Sequence, residues 1–441
     1  MSKMRHASTD IVDDGRLKVP VRQFSLRVMA GPDGGATHTS AGERVAIGTE
    51  RGADLVLTDP AVSRFHCEIV VAEEQALVQD LGSRNGTFVE GVSVLSAHLH
   101  DGATLGLGRS RVRFELCPEH VGILLSDEER VGSMIGRSAA MRASFALLER
   151  AARTEATVLL QGETGTGKDL AAESIHMLGD RRNGPLVVVD CGAIPPGLLE
   201  SELFGHERGA FTGATAARVG ALETAHGWTL FLDEIGELAP DLQPKLLRAL
   251  DTHTSQRVGS NLRVEADFRL VAATNRDLRV EVNAGRFRSD LYYRLAVLVV
   301  RLPPLRERTD DLPRLVEQFV AAAGGSPAQA AAFLGDASHL EALLRHRWPG
   351  NVRELRNYVQ QCLVLGDVAR PTLEAPDDLA APIDPTMPLR EARDRWLQAF
   401  ERRYLLEVLR RNGNNVTAAA RAAGVNRVYF HKLLSRCGIP R

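Results

Sequence analysis

The short apolar run Thr157-Val-Leu-Leu160 leads almost directly into Gly162-Glu-Thr-Gly-Thr-Gly-Lys-Asp169, and helix-forming residues follow. No other stretch constrains the fold as much. A buried strand that ends in a glycine-rich loop and restarts as a helix wraps backbone N–H groups around a phosphate, and Lys168 reaches the outer phosphates. The loop pattern alone is a weak signal, but its strand and helix flanks predict an α/β sheet that handles a nucleotide. A second strand pattern, Thr229-Leu-Phe-Leu-Asp-Glu234, ends in two carboxylates. Asp233 suits Mg2+ and Glu234 suits the polarisation of a water, with helix capping as the structural alternative.

The remaining composition narrows the class. With 441 residues, two to four domains are expected. A hydrophobic share of 44% and a charged share of 25% are those of a soluble globular protein. The five Cys are scattered, with no CxxC and no His at metal spacing, which speaks against a disulfide framework or a zinc site. The N-terminus lacks an apolar h-region and no run reaches membrane-spanning length, so a cytoplasmic protein without a membrane partner is expected. The net charge of −2 is uneven, because residues 401–441 hold nine Lys/Arg against two Glu. That basic block points to nucleic acid at the C-terminal end, a solvated basic helix being the plainer alternative.

Between the two nucleotide motifs lies Gly209-Ala-Phe-Thr-Gly-Ala214. Five small residues around one Phe, with Gly at two positions, suit a protruding turn rather than a strand or helix. An exposed aromatic tip is costly unless it meets a partner, although an ordinary glycine-rich turn would read the same way in isolation. Together with Glu202-Leu-Phe-Gly-His-Glu207 before it, the stretch resembles the sigma-54-dependent bacterial activators, enhancer-binding members of the AAA+ ATPases.

The resemblance covers residues 134–366 in motif order and implies specific roles. Gly162, Glu163, Thr164, Gly165, Thr166, Gly167, Lys168 and Asp169 would bind ATP, an acidic residue after the Lys being usual in this family. Asn275, within Leu270–Asp277, would sense the γ-phosphate. Arg288 and Arg294, within Phe287–Leu295, would act as arginine fingers on a neighbouring subunit's nucleotide. Arg353, within Trp348–Leu355, would touch nucleotide from the α-helical lid, and Leu302–Arg308 would join sheet to lid. Gly209, Ala210, Phe211, Thr212, Gly213 and Ala214 would grip the sigma factor of RNA polymerase holoenzyme. Two departures stand out. Trp228 follows Gly227 where the family has Gly-Gly, and Asp190 lies where relatives place an Asn that restrains the catalytic Glu, setting like charges together.

Residues 22–117 show short strand-like runs separated by Gly, Asp and Ser clusters, the spacing of a β-sandwich. Asp54–His66 and Asp80–Thr87 resemble the forkhead-associated (FHA) domains, which recognise phosphothreonine peptides. That implies Ser63 and Arg64 on the phosphate and Asn85 on the peptide backbone, a hydroxyl and a guanidinium being suitable donors to a dianion. The early Gly-Arg of FHA domains is Gly48-Thr49 here, with Arg51 as the substitute; an FHA-shaped module without a ligand is the alternative. His66 is expected to pack rather than to bind.

At the C-terminal end, Trp396, Phe400, Tyr404 and Val408 recur every four residues and predict a helix with one apolar stripe, which a second copy would cover. Asn415 can cap a short Ala-rich helix, Gly424 makes the turn, and Asn426 can cap a last helix. This layout resembles the Fis-type helix-turn-helix. Val425, Phe430 and Leu434 would be core, while Asn426, Arg427, Val428, Tyr429, His431 and Lys432 would meet DNA.

The expected organisation is multidomain. A tail (1–21) precedes an FHA β-sandwich (22–117) and a linker (118–133). An α/β AAA+ P-loop subdomain (134–302) follows with its helical lid (303–366), then a linker (367–390) and an all-α helix-turn-helix domain (391–441). The expected function is an ATP- and Mg2+-dependent activator that binds enhancer DNA and remodels sigma-54 holoenzyme as a homo-oligomer, dimer to hexamer. A phosphothreonine protein or Ser/Thr kinase would regulate it. The alternative is a DNA-bound phosphopeptide scaffold whose ATPase only controls assembly.

Overall fold

The computed structural model describes residues 10–11, 17–72, 75–365, 397, 401, 404–405, 408–409, 412, 415–425 and 427–436. The chain divides into two compact units, residues 1–371 and 372–441.

The first unit begins with a two-sheet sandwich. One sheet is built around the antiparallel pair Leu17–Ala30 and Ser110–Leu124, extended by Thr104–Leu107, Thr87–Val89 and Val92–Val94. The other runs Ser96–Leu99, Gln75–Asp80, Cys67–Ala72, Arg44–Gly48 and Leu55–Val56. Alternate residues point inward along each strand, so Phe24, Leu26 and Val28 meet Val45, Ile47, Ile69 and Val71 in one core.

The long pair starts at Leu17 rather than residue 22 and runs on to Leu124, inside the expected linker. Residues 118–124 are mostly exposed, so the pairing there rests on backbone hydrogen bonds, and Pro118-Glu-His120 at a register shift interrupts the strand pattern before Val121 and Ile123 resume it. The end of that stretch is not a bare connection either, since Val131 and Met134 are buried in the core of the next domain.

A five-stranded parallel sheet follows, in the order Leu186–Asp190, Thr229–Asp233, Arg269–Thr274, Val158–Gln161, Leu298–Arg301. Its middle strands read as unbroken apolar runs because helices cover both faces. Trp228, the departure from Gly-Gly, packs over Gly184, where a Cβ would lie 1.7 Å from the indole. Helices Leu312–Ala322, Pro327–Gly335, Ala337–Arg345 and Asn351–Leu365 form the lid around buried Trp348. The sandwich is not a separate body: Phe65 and Leu81 belong to the same buried cluster as Leu291 and Leu295 of the nucleotide domain.

In the second unit, helix Val416–Ala422 is capped by the Asn415 side chain, which accepts from Thr417 and Ala418 N–H. Gly424 turns the chain at φ +69° into helix Arg427–Arg436. Leu405, Leu409, Ala419, Ala420, Phe430 and Leu434 form the core, with Val408 and Val425 packed against it. Of the expected stripe, Tyr404 is exposed and Val408 packs against this core beside inward-facing Leu405 and Leu409, while Trp396 and Phe400 lie outside the described residues.

Candidate nucleotide site and the surfaces around it

The carboxyl ends of the parallel strands gather the expected nucleotide residues, where open α/β sheets place their ligands. Gly162–Gly167 turn from strand Val158–Gln161 into helix Lys168–Leu178, with Gly165 at φ +79° and Gly167 at +105°. Gly165 has a second reason to lack a side chain, since a Cβ would stand 2.3 Å from the Gly350 carbonyl oxygen and 3.1 Å from the Cβ of Arg353. The lid thus presses on the loop and brings exposed Arg353 to its flank.

Polar contacts hold that closure. Val352 N–H donates to the Gly165 carbonyl at 3.0 Å. Asn351 Nδ2 donates to Glu163 Oε2 and the Thr164 carbonyl, each at 3.1 Å. Arg306 grips the Glu163 carboxylate at 2.8 and 2.6 Å, and Arg308 donates to the Thr166 carbonyl at 2.9 Å. Glu163, read from sequence only as part of the phosphate loop, is therefore also the loop's attachment to the lid. Arg306 and Asn351 were missed because nothing local in their segments points to residues more than 140 positions away.

Lys168 is buried, its Nζ 3.1 Å from the Gly162 carbonyl and 3.6 Å from Glu234 Oε1. Glu234 has a left-handed backbone (φ +47°), unusual for a residue with a side chain. Its Oε2 accepts from Asn275 N–H at 3.2 Å, while Asn275 Nδ2 reaches Thr164 Oγ1 at 3.3 Å. The four residues Lys168, Glu234, Asn275 and Thr164 thus form one polar chain across the sheet end.

Burial, then the neighbouring Asp169 carboxylate and Glu234, push the Asp233 carboxyl up to about 6. Such an excess of negative charge fits a divalent cation, and Mg2+ in phosphate sites uses one or two protein carboxylates together with phosphate oxygens. Asp233 would hold it, with Asp169 beside it. Bound Mg2+ supplies charge neutralisation between phosphates. Asp190 pairs with Asp233 across adjacent strands, and its Oδ1 accepts from Gly192 and Ala193 N–H at 2.9 and 3.0 Å in a local turn. A Cβ at Gly192 would lie 3.4 Å from that oxygen and 3.5 Å from the Glu234 Cβ, so Asp190 and Glu234 flank the same glycine.

Arg288 sits at the N-cap of helix Ser289–Leu295 and Arg294 in its last turn, and neither guanidinium bonds to the phosphate loop. Arg288 pairs with Asp290 at 2.6 Å, and Arg294 donates to the Leu250 carbonyl at 2.9 Å. Their side chains stay 50% and 45% exposed, available to another molecule.

The loop Gly209–Ala214 caps a short antiparallel hairpin, Gly205–His206 with Arg218–Val219. Gly209 N–H donates to the Ala214 carbonyl at 2.8 Å and closes the loop base. Glu207 N–H donates to Val258, and Val258 N–H to Gly205, which ties the hairpin to residues 254–265. Phe211 leans on His206 (ring centroids 5.0 Å apart) yet remains 41% exposed, and Thr212 is exposed beside it.

On the sandwich, Ser63 Oγ accepts from Arg84 N–H at 2.9 Å, and Asn85 Nδ2 donates to the Ala61 carbonyl at 2.7 Å. Arg51, Arg64, Arg84 and Asn85 are exposed around half-buried Ser63. Arg84, a third guanidinium at this spot, was not singled out from sequence, though it sits between Ser83 and Asn85 in the quoted motif. His66 is fully buried: Nδ1 accepts from Ser63 N–H at 3.1 Å and Nε2 donates to the Gly86 carbonyl at 3.1 Å, so it bridges the two loops. Burial holds its pKa below the ordinary value, which agrees with a packing role.

On the last helix, Arg427 and Tyr429 are exposed and His431 is half-buried. Asn426 and the side chains of Val428 and Lys432 lie outside the described residues.

Residues 134–301 match the sigma-54 interaction domain, 306–386 the AAA+ ATPase lid domain, and 397–432 the Fis family of bacterial regulatory proteins. Residues 27–120 match the cytoplasmic domain of the inner membrane component of T3SS. The transcriptional regulatory protein ZraR of Escherichia coli K12 is 45% identical over 307 residues, spanning 69% of this chain and 68% of that protein. The chain belongs to the sigma-54-dependent transcriptional activators. Among solved structures, Brucella abortus NtrX in complex with ATP shares 35% identity, covers 71% of each chain and gives a TM-score of 0.48. A structure concerned with phosphothreonine-dependent FHA domain interactions shares 33% identity over 22% of this chain and 98% of its own, with a TM-score of 0.21. This activator thus combines a two-sheet sandwich, an AAA+ domain with its lid, and a Fis-type helix-turn-helix. Among the described residues no helix is long and apolar enough to cross a membrane.

Proposed function

We propose that this activator couples ATP hydrolysis between subunits of a ring to remodelling of sigma-54 RNA polymerase at a promoter, under control of a phosphothreonine protein. The observation that carries the reading is the Gly209–Ala214 loop, which offers Phe211 and Thr212 to a partner from a hairpin anchored in the nucleotide domain. Hydrolysis needs Glu234 to leave Lys168 and turn to a water, and needs a cation from outside for the developing phosphate charge. Arg288 and Arg294, half exposed and bonded away from their own phosphate loop, suit a neighbour's nucleotide. Asp233 would hold Mg2+, and Lys168 with the loop N–H groups would hold ATP. The Fis-type unit would place the ring on enhancer DNA through Arg427 and its neighbours, and Ser63, Arg64, Asn85 and Arg51 would bind the phosphothreonine.

Thr212→Ala separates engine from purpose. It removes a hydroxyl and a methyl at an exposed loop tip, so ATP turnover and assembly should persist while open-complex formation at a sigma-54 promoter collapses. Both are to be measured on one preparation. A parallel fall would make the loop structural to the ring, and no change in either would remove it as the grip.

A further inference from the structure

One place where the sandwich touches the nucleotide domain includes the finger helix. Phe65 is 1% exposed and stands against Tyr292 and Tyr293, with ring centroids 5.2 and 6.2 Å away. From the preceding helix, Leu278–Asn283, Asn283 brackets the same residue: its Oδ1 accepts from Phe65 N–H at 3.3 Å and its Nδ2 donates to the Phe65 carbonyl. The same Nδ2 donates to the Leu81 carbonyl at 2.9 Å. Gly52 packs against Tyr293 so closely that a Cβ would lie 2.2 Å from its ring. Beneath this layer, Glu68 pairs with Arg279 at 2.8 Å and Arg301 at 3.3 Å.

The two helices on the receiving side are only six and seven residues long. Helices of that length have little intrinsic stability, so their position is set by what packs on them. Phe65 is thus part of the core that orders Ser289–Leu295. The contact uses Tyr292 and Tyr293 and leaves both Arg288 and Arg294 about half exposed, so the sandwich supports the fingers without covering them.

We infer that Phe65 and Asn283 are positioning residues for the arginine fingers: the docked sandwich is a brace that the finger helix needs in order to act on a neighbouring subunit. This rests on the reading of Arg288 and Arg294 as fingers. Ser63 and Arg64 immediately precede Phe65, and the backbone of all three lies on one stretch fixed by Thr49 and Glu50 N–H donating to the Ser63 and Arg64 carbonyls. A phosphothreonine seated on Ser63 and Arg64 is therefore one residue from the brace, and its binding alters turnover.

The test uses the full chain with Phe65→Ala, with Asn283→Ala, which removes the bonds bracketing Phe65 and the one to Leu81, and with the conservative Phe65→Leu. Turnover number, affinity for a fluorescent ATP analogue, far-ultraviolet circular dichroism and hydrogen exchange of residues 289–295 are measured together. A finger displaced by an ångström costs on the order of tenfold to a hundredfold in rate. Both alanine variants should lose at least about tenfold in turnover at unchanged nucleotide affinity, with faster exchange confined to the finger helix, and Phe65→Leu should recover part of the loss. Unchanged or raised turnover in a folded Asn283→Ala chain overturns the brace. If the wild type itself does not hydrolyse ATP, the ATPase reading fails, and exchange of residues 289–295 still decides the brace: unchanged exchange in both variants refutes it. A labelled pool of phosphothreonine peptides should shift wild-type turnover where it binds. Binding without any shift in turnover or exchange overturns the coupling, whereas no binding counts against the phosphothreonine reading.

Discussion

Replacing Glu68 by Gln keeps the size of the side chain and removes a buried carboxylate that Arg279, Arg301 and Arg44 share, with Arg279 keeping Asp277 at 2.6 Å and Arg44 keeping Glu43 at 3.2 Å. Burial acts to raise this carboxyl, yet Arg279 first, then Arg301 and Arg44, bring it down to about 2 from 4.5. A gap of that size is worth about 3 kcal/mol, the lower end of the ~3–5 kcal/mol expected when one partner of a buried ion pair is removed. The sign follows from the depressed pKa. The stabilisation is fully present above pH 4.5 and is lost as pH falls toward about 2, where the folded-state carboxyl takes up its proton. Hydrogen exchange of residues 277–283 in the wild type and Glu68→Gln reads the difference locally, without requiring two-state unfolding of a multidomain chain. At neutral pH the variant should exchange on the order of a hundredfold faster, and the ratio should shrink steadily once pH drops below the ordinary carboxylate range. A ratio under about tenfold at neutral pH, or one that does not change on acidification, would refute the claim that this charge holds the two domains together.

Two further outcomes follow from the nucleotide site. Gly165→Ala places a Cβ at φ +79° and 2.3 Å from the Gly350 carbonyl, so affinity for an ATP analogue should fall by about tenfold or more; unchanged affinity would mean the lid does not press on the loop in solution. Arg294→Ala should abolish turnover alone and regain some when mixed with Lys168→Ala, because some interfaces then pair an intact phosphate loop with an intact finger. Absence of recovery in confirmed mixed rings would count against a role in trans.

Much of the architecture was legible because it is written locally. The strand–loop–helix around Lys168, the strand ending at Asp233 and Glu234, and the Asn415 cap each join a few consecutive residues to one backbone geometry, so composition and spacing suffice to name them. The β-sandwich, the parallel sheet with its lid and the helix-turn-helix follow from the same kind of signal. Element ends were less legible. The strand through Leu124 crosses Pro118-Glu-His120, which reads as the start of a linker, and Leu405 and Leu409, which join the C-terminal core beside Val408, were not singled out.

What sequence could not reach are contacts whose partners lie far apart in the chain. From sequence Asp190 is a like charge beside Glu234, and only the structure shows that its carboxylate also accepts from Gly192 and Ala193. Glu163 looked like one more residue of a phosphate loop until Arg306 and Asn351 closed on it. Nothing near Phe65 in sequence marks it out, yet its backbone is bracketed by a side chain 218 positions later. The amino-acid sequence determines which local geometries and which chemistries are present, because those depend on neighbours along the chain. Which buried surface each domain shares with the next is decided only when the chain has folded, since packing and desolvation act through space and leave no period or spacing to read.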